Sequence, residues 1–491
     1  MTAEPNAPLP FAEETARCRA AQAAWAERSP RDRCRPLRAV RALLVRDAAR
    51  LCEAVAQDIH RIPDEVLGSD LLPTADACAW LARHAPRLLA PRRVSRGERP
   101  WWLFGNRDTI HRRPWGVVGI IGTWNYPIFL NATQIAHALT AGNGVLWKPS
   151  ELGATSAALV HALFLEAGYP PDLLQRLPAT REAGPLLAEA DIDYVVFTGS
   201  AGVGRALARR LGERLIPSAL ELSGCDALIV ADDADATLAA RAAWFGVTLN
   251  HGQTCLAVRR VFVTPTQHEA FLAELHRLSQ TASPRPLALP AQAQQLRQLV
   301  DDALARGARL LTELPPALDD HRAIRPVVLV GATADMAVCR EAAFAPILAV
   351  LAVPDLATAL AENARCPYAL GASIFTRNPR WAESIAARLG SGVVTINDCI
   401  VPTAHPATPF GGRKQSGWGT TQGPDGLLGM TVPQVVSVRG LPFHPHYDTD
   451  PAKAAATAQI MHGLLAASHA ASLGQRLAGF WRMLRGMARA R

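Results

Sequence analysis

The chain has 491 residues, of which 49% are apolar and 19% are charged, and its formal net charge is +8. This length exceeds the roughly 250 to 300 residues at which one core tends to divide, and the composition excludes a disordered chain. Six cations and no acidic residue follow Asp450, so residues 1–450 carry a formal charge of only +2. A body so close to neutral argues against a nucleic-acid binder, which needs many clustered cations.

Nine cysteines are scattered without the spacing of a zinc site or a C-x-x-C pair. They predict neither a disulfide framework nor a metal site, and we expect reduced thiols. The first twenty residues lack the cationic and then apolar order of a secretory signal, and no apolar run reaches the roughly 18 residues of a spanning helix. These features predict a cytoplasmic protein.

The periodicity of apolar residues predicts helices at 11–60 and 71–92 and then a hairpin-like arm at 99–116, where Gly105 and Asn106 favour a turn. Strands that alternate with helices follow, at 116–122, 144–149, 193–200 and 227–233. After a helix at 235–254, a second series has strands at 259–265, 325–330, 347–353, 372–377 and 392–398. This order predicts an α/β fold of two doubly wound, Rossmann-like units, with ligand sites at the carboxyl ends of parallel strands.

Two loops that follow predicted strands favour a phosphate or a sugar hydroxyl as ligand. FTGSAGVG at 197–204 joins a strand to a helix with small residues, so its backbone N–H groups can meet an anion. WKPSE at 147–151 places Lys148 and Glu151 after another strand, as a cation and a carboxylate that could hold a ribose. The glycine loop taken alone is more often an ordinary strand-to-helix turn, whereas WKPSE taken alone is equally consistent with a solvated helix start capped by Ser150.

Three side chains from distant segments are candidates for chemistry. Cys255, in the turn-rich segment NHGQTC, could act as a thiolate nucleophile if backbone N–H groups favour the charged form. Glu221 lies in an apolar strand, where burial would raise the pKa of its carboxyl and suit a general base. Asn125, in GTWNYP after the first strand, could donate to a developing oxyanion. Each residue alone is more often structural, so the joint pattern carries the argument.

The chain resembles the NAD(P)-dependent aldehyde dehydrogenase superfamily over residues from about 15 to 440, nearest the branch that oxidises fatty and aromatic, coniferyl-type aldehydes. Seven motifs in the family's order carry the resemblance: WNYP, KPSE, FTGSAGVG, ELSG, GQTC, EAAFAP at 341–346 and PFGGRKQSGWG at 409–419. The resemblance implies that Cys255 attacks the aldehyde, that Asn125 and the N–H of Cys255 hold the oxyanion, and that Glu221 activates a water to release the acid.

The resemblance also implies a cofactor and an assembly. NAD is expected, with NADP as the alternative, because Glu151 would repel a 2′-phosphate. The implied cofactor-binding residues are Trp124, Lys148, Ser150, Glu151, Gly199, Ser200, Gly204, Leu222 and Phe344. The implied segments are a cofactor-binding domain at 1–98 and 114–221, a catalytic domain at 222–398, arm and bridging segments at 99–113 and 399–440, and a basic tail at 441–491. A homodimer through the arm and a late strand at 433–439 is the expected assembly.

The chain departs from the family pattern where a carboxylate that grips the nicotinamide ribose is replaced by Ala342. Losing one hydrogen bond to an ionised acceptor costs roughly 1.5 to 3 kcal/mol, which weakens such an enzyme without abolishing it. Two alternatives therefore stay open beside the dehydrogenase. One is a reductase that passes the acyl group to a second thiol, and the other is a non-catalytic scaffold that has kept the fold.

The last residues form an amphipathic pattern at 473–491. Apolar residues recur at helical spacing, while arginines fall on another side: Leu473, Leu477, Phe480, Trp481, Leu484 and Met487 against Arg482, Arg485 and Arg489. Such a helix could lie on an anionic membrane, which would make the protein peripheral at the inner face of the membrane. A helix docked on its own body or on a partner subunit, and a loose tail, are the alternatives.

Overall fold

A computed structural model describes residues 9–312, 318, 320–440, 447 and 450–490, the last without its side chain. The opening of the predicted tail at 441–446 and 448–449 lies outside the described residues, as do residues 1–8 and 491 at the two termini. Within the described part of the chain, no helix is both long enough and apolar enough to cross a bilayer.

The first nine α-helices have the following bounds. They are α1 (Ala12–Ala26), α2 (Pro30–Cys34), α3 (Pro36–Arg46), α4 (Ala48–Ile59), α5 (Pro63–Val66), α6 (Leu72–Leu88), α7 (Phe129–Ala141), α8 (Ala154–Glu166) and α9 (Ala183–Glu189). The others are α10 (Ala201–Glu213), α11 (Ala236–Thr248), α12 (Pro265–Ser279), α13 (Pro290–Ala305), α14 (Leu356–Ala364), α15 (Pro379–Ala386), α16 (Gly423–Gly429), α17 (Ala454–His469) and α18 (Leu473–Ala490). The helices predicted at 11–60 and 71–92 are present as α1 to α4 and α6.

The strands occur between these helices. They are β1 (Arg92–Arg93), β2 (Asn106–Pro114), β3 (Val117–Ile121), β4 (Gly144–Lys148), β5 (Leu174–Arg176), β6 (Tyr194–Gly199), β7 (Ser218–Leu222), β8 (Asp226–Val230) and β9 (Val258–Val263). The remaining ones are β10 (Arg309–Leu310), β11 (Val327–Val330), β12 (Ile347–Ala352), β13 (Tyr368–Ala369), β14 (Gly371–Phe375), β15 (Val393–Ile396), β16 (Arg413–Lys414), β17 (Gly417–Trp418) and β18 (Thr431–Arg439).

A six-stranded sheet in the order β17-β7-β6-β3-β4-β5 forms the first half of the α/β body. All its neighbours are parallel except the edge strand β17, which runs antiparallel to β7. Every residue of β3 and β4 is buried, as expected where helices cover both faces of a sheet. From β3 the chain adds β4 and β5 on one side, and then β6 and β7 on the other side. The crevice beyond the carboxyl ends of β3 and β6 is therefore a topological switch point.

A seven-stranded sheet in the order β10-β11-β12-β9-β8-β14-β15 forms the second half. Its strands are parallel except β10, which lies antiparallel at one edge. The prediction of an α/β fold with parallel sheets is confirmed. Both sheets lie in one compact unit, made of residues up to Ala90 and from Arg112 to Val432. The division between a cofactor-binding domain at 1–98 and 114–221 and a catalytic domain at 222–398 stays a prediction.

A second compact unit comprises Pro91–His111 and the chain from Pro433 onward. It contains most of a three-stranded sheet in the order β1-β2-β18. A turn is present at Gly105, where φ is 82°, but the first strand of the expected hairpin lies earlier than predicted, because β2 pairs antiparallel with β1, with Arg92 opposite Ile110. Residues Trp101–Leu103 form a 3₁₀ turn instead of the first strand of a hairpin.

The helix predicted at 235–254 ends earlier than expected, at Thr248. The backbone of Asn250 and His251 lies in the left-handed region, with φ of 48° and 52°, which a continuous α-helix does not accommodate. A 3₁₀ turn at Leu249–Gly252 takes its place and leads to Cys255.

Candidate active site

One cavity of about 420 Å³ contains two of the three predicted catalytic side chains, Cys255 and Glu221. The side chains that form its walls are mainly apolar, among them Tyr126, Phe129, Leu130, Phe245, Leu249 and Phe410. The cavity reaches two acidic residues, Asp64 and Glu65, and among the described lining residues there is no lysine, arginine or histidine. A sulfur and a carboxyl group therefore face one largely apolar space.

Cys255 lies in a tight turn between the 3₁₀ segment and β9. The N–H of Gly224 donates to the carbonyl oxygen of Cys255 at 3.1 Å, and a Cβ at Gly224 would lie 2.7 Å from that oxygen. Burial raises the pKa of the Cys255 thiol, and the nearby carboxyl groups of Glu221 and Asp226 raise it further. The thiol therefore keeps its proton until a base accepts it.

Buried polar contacts hold the turn that precedes Cys255. Gly252 has φ of 72°, and a Cβ there would lie 2.5 Å from the carbonyl oxygen of Ala345. The Arg259 guanidinium donates to the carbonyl oxygens of both Gly252 and Ala345. Arg259 is fully buried, and its contacts fix this turn against the EAAFAP segment.

Asn125 lies beside this turn, although it is not among the residues that line the cavity. Its side-chain Nδ2 donates to the carbonyl oxygen of Gln253 at 3.0 Å, and its Oδ1 accepts from the Thr123 hydroxyl at 2.8 Å. The amide is therefore oriented two residues before Cys255 and keeps a second N–H. Tyr126, the next residue, is within 2.6 Å of the Thr254 hydroxyl through its own hydroxyl.

A buried ionic network that the sequence did not predict holds the backbone of the turn at Asn125. The Arg61 guanidinium forms an ion pair with Asp70, donates to the Asn125 carbonyl oxygen at 3.3 Å, and lies 4.6 Å from the centre of the Tyr126 ring. Asp70 also accepts the N–H groups of residues 128 and 129 at the start of α7. A buried arginine and aspartate nine residues apart give no pattern that a sequence alone could distinguish from a surface pair.

Glu65 connects residues 61–70 to the turn that precedes Cys255. Its carboxylate accepts the N–H of Asn250 at 3.1 Å and pairs with Arg285 at 2.7 Å. Asn250 in turn donates to the carbonyl oxygen of Asn125 at 2.8 Å. Residues 61–70 thus connect the candidate oxyanion amide to the turn that carries the sulfur.

Glu221 is buried on β7, where Gly417 of β17 lies opposite it. Burial raises the pKa of its carboxyl to about 7, while the Thr421 hydroxyl, 3.4 Å from Oε2, lowers it slightly. Its Oε1 has no hydrogen-bond partner within the described structure. A carboxyl with one free oxygen and a pKa near neutrality is suited to accept a proton from a molecule in the cavity.

The predicted ribose-binding residues meet at the end of β4. The Lys148 ammonium lies 3.5 Å from the Glu151 carboxylate, and Arg181 binds the same carboxylate at 2.8 Å. Ser150 caps the following 3₁₀ turn by accepting the N–H of Leu152 at 3.3 Å. Arg181 was not among the predicted residues, because its closeness to Glu151 depends on the pairing of β5 with β4.

The predicted glycine loop joins β6 to α10. Ser200 caps α10, with its hydroxyl accepting the N–H of Val203 at 3.4 Å. A Cβ at Gly204 would lie 2.6 Å from the Leu222 side chain, so this glycine allows α10 to approach β7 closely. A Cβ at Gly199 would meet the Phe197 ring at 2.4 Å. Two of the loop's glycines are therefore explained by packing.

Trp124 and Phe344 meet edge to face, with ring centroids 6.0 Å apart. Phe344 also accepts a hydrogen bond from Gln292 through its carbonyl oxygen at 2.7 Å. The neighbouring Ala342 is half-buried and Glu341 is exposed. The structure thus brings together the ends of β3, β4, β6 and β7 with the segment around Phe344.

Comparison with known proteins identifies this arrangement. The model of the aldehyde dehydrogenase family matches residues 11–436. The chain belongs to the aldehyde dehydrogenase family. The prediction of an NAD(P)-dependent aldehyde dehydrogenase is thereby confirmed.

Individual members of the family and a solved structure are similar to this aldehyde dehydrogenase. It is 34% identical over 434 residues to 4,4′-diapolycopene aldehyde oxidase of Methylomonas sp, covering 87% of this chain and 81% of that protein. It is 31% identical to a protein named "Probable coniferyl aldehyde dehydrogenase" from Pseudomonas aeruginosa, covering 84% and 87%. A crystal structure of Mycobacterium tuberculosis aldehyde dehydrogenase with NAD⁺ is similar with a TM-score of 0.80 and 28% identity, covering 87% and 89%.

Proposed function

We propose that this enzyme oxidises an apolar aldehyde, long-chain or aromatic, to the carboxylic acid through a covalent bond to Cys255. The observation that carries the proposal is the shared cavity, in which Cys255 and Glu221 face a mainly apolar wall. The names of the two relatives above mention 4,4′-diapolycopene aldehyde and coniferyl aldehyde, and these names agree with an apolar substrate.

The Cys255 sulfur attacks the carbonyl carbon and forms a thiohemiacetal. Because burial and neighbouring acids raise the pKa of the thiol, its proton must leave through the cavity to solvent as the carbon–sulfur bond forms. The second N–H of the Asn125 amide and the backbone N–H of Cys255 stabilise the oxygen as it becomes negative. A bound nicotinamide dinucleotide would supply the hydride acceptor for oxidation to the thioester. Glu221 then accepts a proton from the water that attacks the thioester carbon, and the Cys255 sulfur leaves as the acid forms.

The residues at the switch point suit a nicotinamide dinucleotide, which supplies the hydride acceptor when it is bound. Lys148 and Glu151 offer a cation and a carboxylate to ribose hydroxyls. The first turn of α10 is open, because nothing lies within 4 Å of a Cβ placed at Gly202, and Val203 is exposed. Its free backbone N–H groups can therefore donate to the oxygens of a diphosphate. Trp124 and Phe344 shape the side of the site nearer to Cys255.

An apolar substrate is favoured over a carboxylate-bearing aldehyde because the described residues that line the cavity include Asp64 and Glu65 and no lysine, arginine or histidine. A carboxylate inside such a cavity would lose its hydration without gaining a partner. We therefore expect kcat/KM for straight-chain aldehydes of eight to twelve carbons and for cinnamyl aldehydes to exceed that for succinate semialdehyde at least a hundredfold.

Formation of NADH or NADPH from these aldehydes tests the proposal. Cys255→Ser should abolish turnover, whereas Cys34→Ala, which removes a buried thiol that does not line the cavity, should retain it. A preference for succinate semialdehyde would overturn the substrate class. Rate enhancement by coenzyme A with an acyl-CoA product would favour the reductase, and no turnover or acyl-enzyme with any aldehyde would favour the scaffold.

The second compact unit supports a homodimer. Within it, β18 is an edge strand, and its side chains Val435, Val436 and Val438 are exposed. An apolar edge strand of nine residues is a template for pairing with another chain, and a second copy supplies the complementary surface. Val436→Lys should shift the mass measured by light scattering towards the monomer, whereas an unchanged mass would contradict this assignment.

We also assign a peripheral membrane contact to α18. The helix packs on α17 through glycines: a Cβ at Gly479 would lie 2.5 Å from the backbone nitrogen of Ala467. Its apolar stripe lies elsewhere and is exposed, with Leu473 at 74% and Trp481 at 61%. Arginines flank the stripe, and no acidic residue occurs after Asp450, which favours an anionic lipid surface.

Vesicle flotation tests this contact. The protein should float with phosphatidylglycerol vesicles and not with phosphatidylcholine vesicles, and Trp481→Glu should remove binding without changing aldehyde oxidation. Equal recovery with both lipids, or with neither, would contradict an electrostatic and apolar contact.

A further inference from the structure

The carboxylate of Glu151 lies between two cations of different exposure. Lys148 is buried at the end of β4, with its Nζ 3.5 Å from one carboxylate oxygen. Arg181 is 74% exposed, and its Nε lies 2.8 Å from the other oxygen. The two cations hold the pKa of the Glu151 carboxyl below its usual value although burial opposes this.

The position of Arg181 follows from the sheet. β5 pairs in parallel with β4, with Val145 opposite Leu174, so the chain leaves both strands at the same edge. Arg181 lies five residues beyond the end of β5, just before α9. It therefore approaches the ribose-binding carboxylate from the neighbouring loop, whereas Lys148 approaches it from the strand.

Glu151 alone would repel a 2′-phosphate, and this repulsion is the reason for expecting NAD. The ion pair with Arg181 reduces this repulsion. An exposed pair contributes little stability, so Arg181 can leave the carboxylate at low cost. Its planar guanidinium can donate two N–H groups to one phosphate, a geometry that an ammonium does not offer. Glu182 is exposed and is a second acid near this site. The two positive charges of Lys148 and Arg181 equal the two negative charges of Glu151 and Glu182.

We propose that Arg181 is a specificity-determining residue that moves from Glu151 to the 2′-phosphate of NADP⁺, so that the enzyme accepts both dinucleotides. The proposal rests on the proposed position of the adenosine ribose at Lys148 and Glu151. With NAD⁺, Arg181 stays on the carboxylate or turns to solvent, and the ribose diol meets Lys148 and Glu151. Discrimination between the two cofactors then depends on a side chain outside the strand that carries the ribose-binding motif.

Calorimetric titration of the intact protein with each dinucleotide, without aldehyde, tests this role. Arg181→Gln should weaken NADP⁺ binding about ten- to a hundredfold and leave the NAD⁺ dissociation constant within about threefold. Arg176→Gln, on the exposed end of β5, is the matched control and should change neither constant. Arg181→Lys should restore part of the NADP⁺ affinity, because it keeps the charge and loses the planar donor pair.

Salt gives a second readout that does not depend on turnover. Binding of NADP⁺ to the unsubstituted protein should weaken more steeply between 50 and 500 mM NaCl than binding of NAD⁺, and Arg181→Gln should remove the difference. An equal loss of both affinities in Arg181→Gln, or no loss of either, would overturn the role of Arg181. If the unsubstituted protein binds neither dinucleotide, the proposed cofactor site itself is wrong.

Discussion

Gly224 and Cys255 are joined by a backbone hydrogen bond of 3.1 Å that ties the end of the Glu221 strand to the turn carrying the sulfur. The contact is so close that a Cβ at Gly224 would lie 2.7 Å from the Cys255 carbonyl oxygen and 2.4 Å from the carboxylate of Asp226. The base and the nucleophile of the proposed reaction are therefore positioned by one glycine between two secondary-structure elements.

Gly224→Ala should displace this turn, since backbone and a buried carboxylate must both move. We expect kcat to fall about a hundredfold, as for a catalytic group misplaced by about 1 Å, and the free energy of unfolding to fall by about 1–3 kcal/mol. Gly212→Ala is the matched control, because a Cβ there meets nothing within 4 Å and lies in α10. It should stabilise the protein by about 0.5–1 kcal/mol. Equal kinetics in both variants would contradict the role of Gly224.

Glu221→Gln should separate the two halves of the reaction. Acyl-enzyme formation should still give a burst of reduced cofactor, because the thiol proton leaves to solvent, while release of the acid slows by 10²–10⁴-fold because general-base catalysis is lost. Stopped-flow absorbance at the reduced-nicotinamide band measures both phases. Exposed Glu341→Gln should leave both phases unchanged, and loss of the burst together with the slow phase would instead assign thiol activation to Glu221.

The pKa of Glu221 predicts opposite pH dependences for rate and stability. Its carboxyl has a pKa of about 7 in the folded protein and 4.5 as its ordinary value, so the folded state binds the proton more tightly. The stability that this proton contributes is present below about pH 4.5 and is lost as the pH rises towards 7. Turnover, which needs the carboxylate, should rise over the upper part of the same range.

Glu221→Gln removes the titration and checks the sign. The variant should match the unsubstituted protein in free energy of unfolding near pH 4.5. Above pH 7 it should exceed it by up to about 3 kcal/mol, because the amide has no cost of ionising a buried carboxyl whose pKa is raised from 4.5 to about 7. Denaturant unfolding at several pH values measures this difference. A difference that is constant with pH would contradict a raised pKa at Glu221.

Arg61→Met tests the buried network beneath Asn125. The substitution leaves the Asp70 carboxylate buried without its cation, and we expect a loss of about 3–5 kcal/mol of unfolding free energy. Asp70→Asn should cost less, because the amide oxygen can still accept the N–H groups at the start of α7. Exposed Arg83→Met in α6 is the control for loss of charge. If all three variants lose similar stability, the network does not hold the Asn125 turn.

Several features of the fold and the site could be predicted from local sequence. Alternating β-rich and helical segments gave the strands and the parallel sheets, because burial on both faces leaves continuous apolar runs. The end of α11 could not be predicted in this way: the left-handed backbone at Asn250 and His251 depends on contacts with Glu65 and Asn125, which come from distant parts of the chain.

The sequence by itself determined the residue types at Cys255, Glu221 and Asn125, and the motif order that marks the family, because chemistry and turn geometry restrict which residues serve there. Only the tertiary structure decided that Cys255 and Glu221 share an apolar cavity, that Arg61 and Asp70 support Asn125, and that Arg181 meets Glu151. Strand pairing and burial bring these residues together from distant parts of the chain. The energies of their ion pairs and apolar contacts depend on neighbours in space, which the order of residues along a chain does not specify.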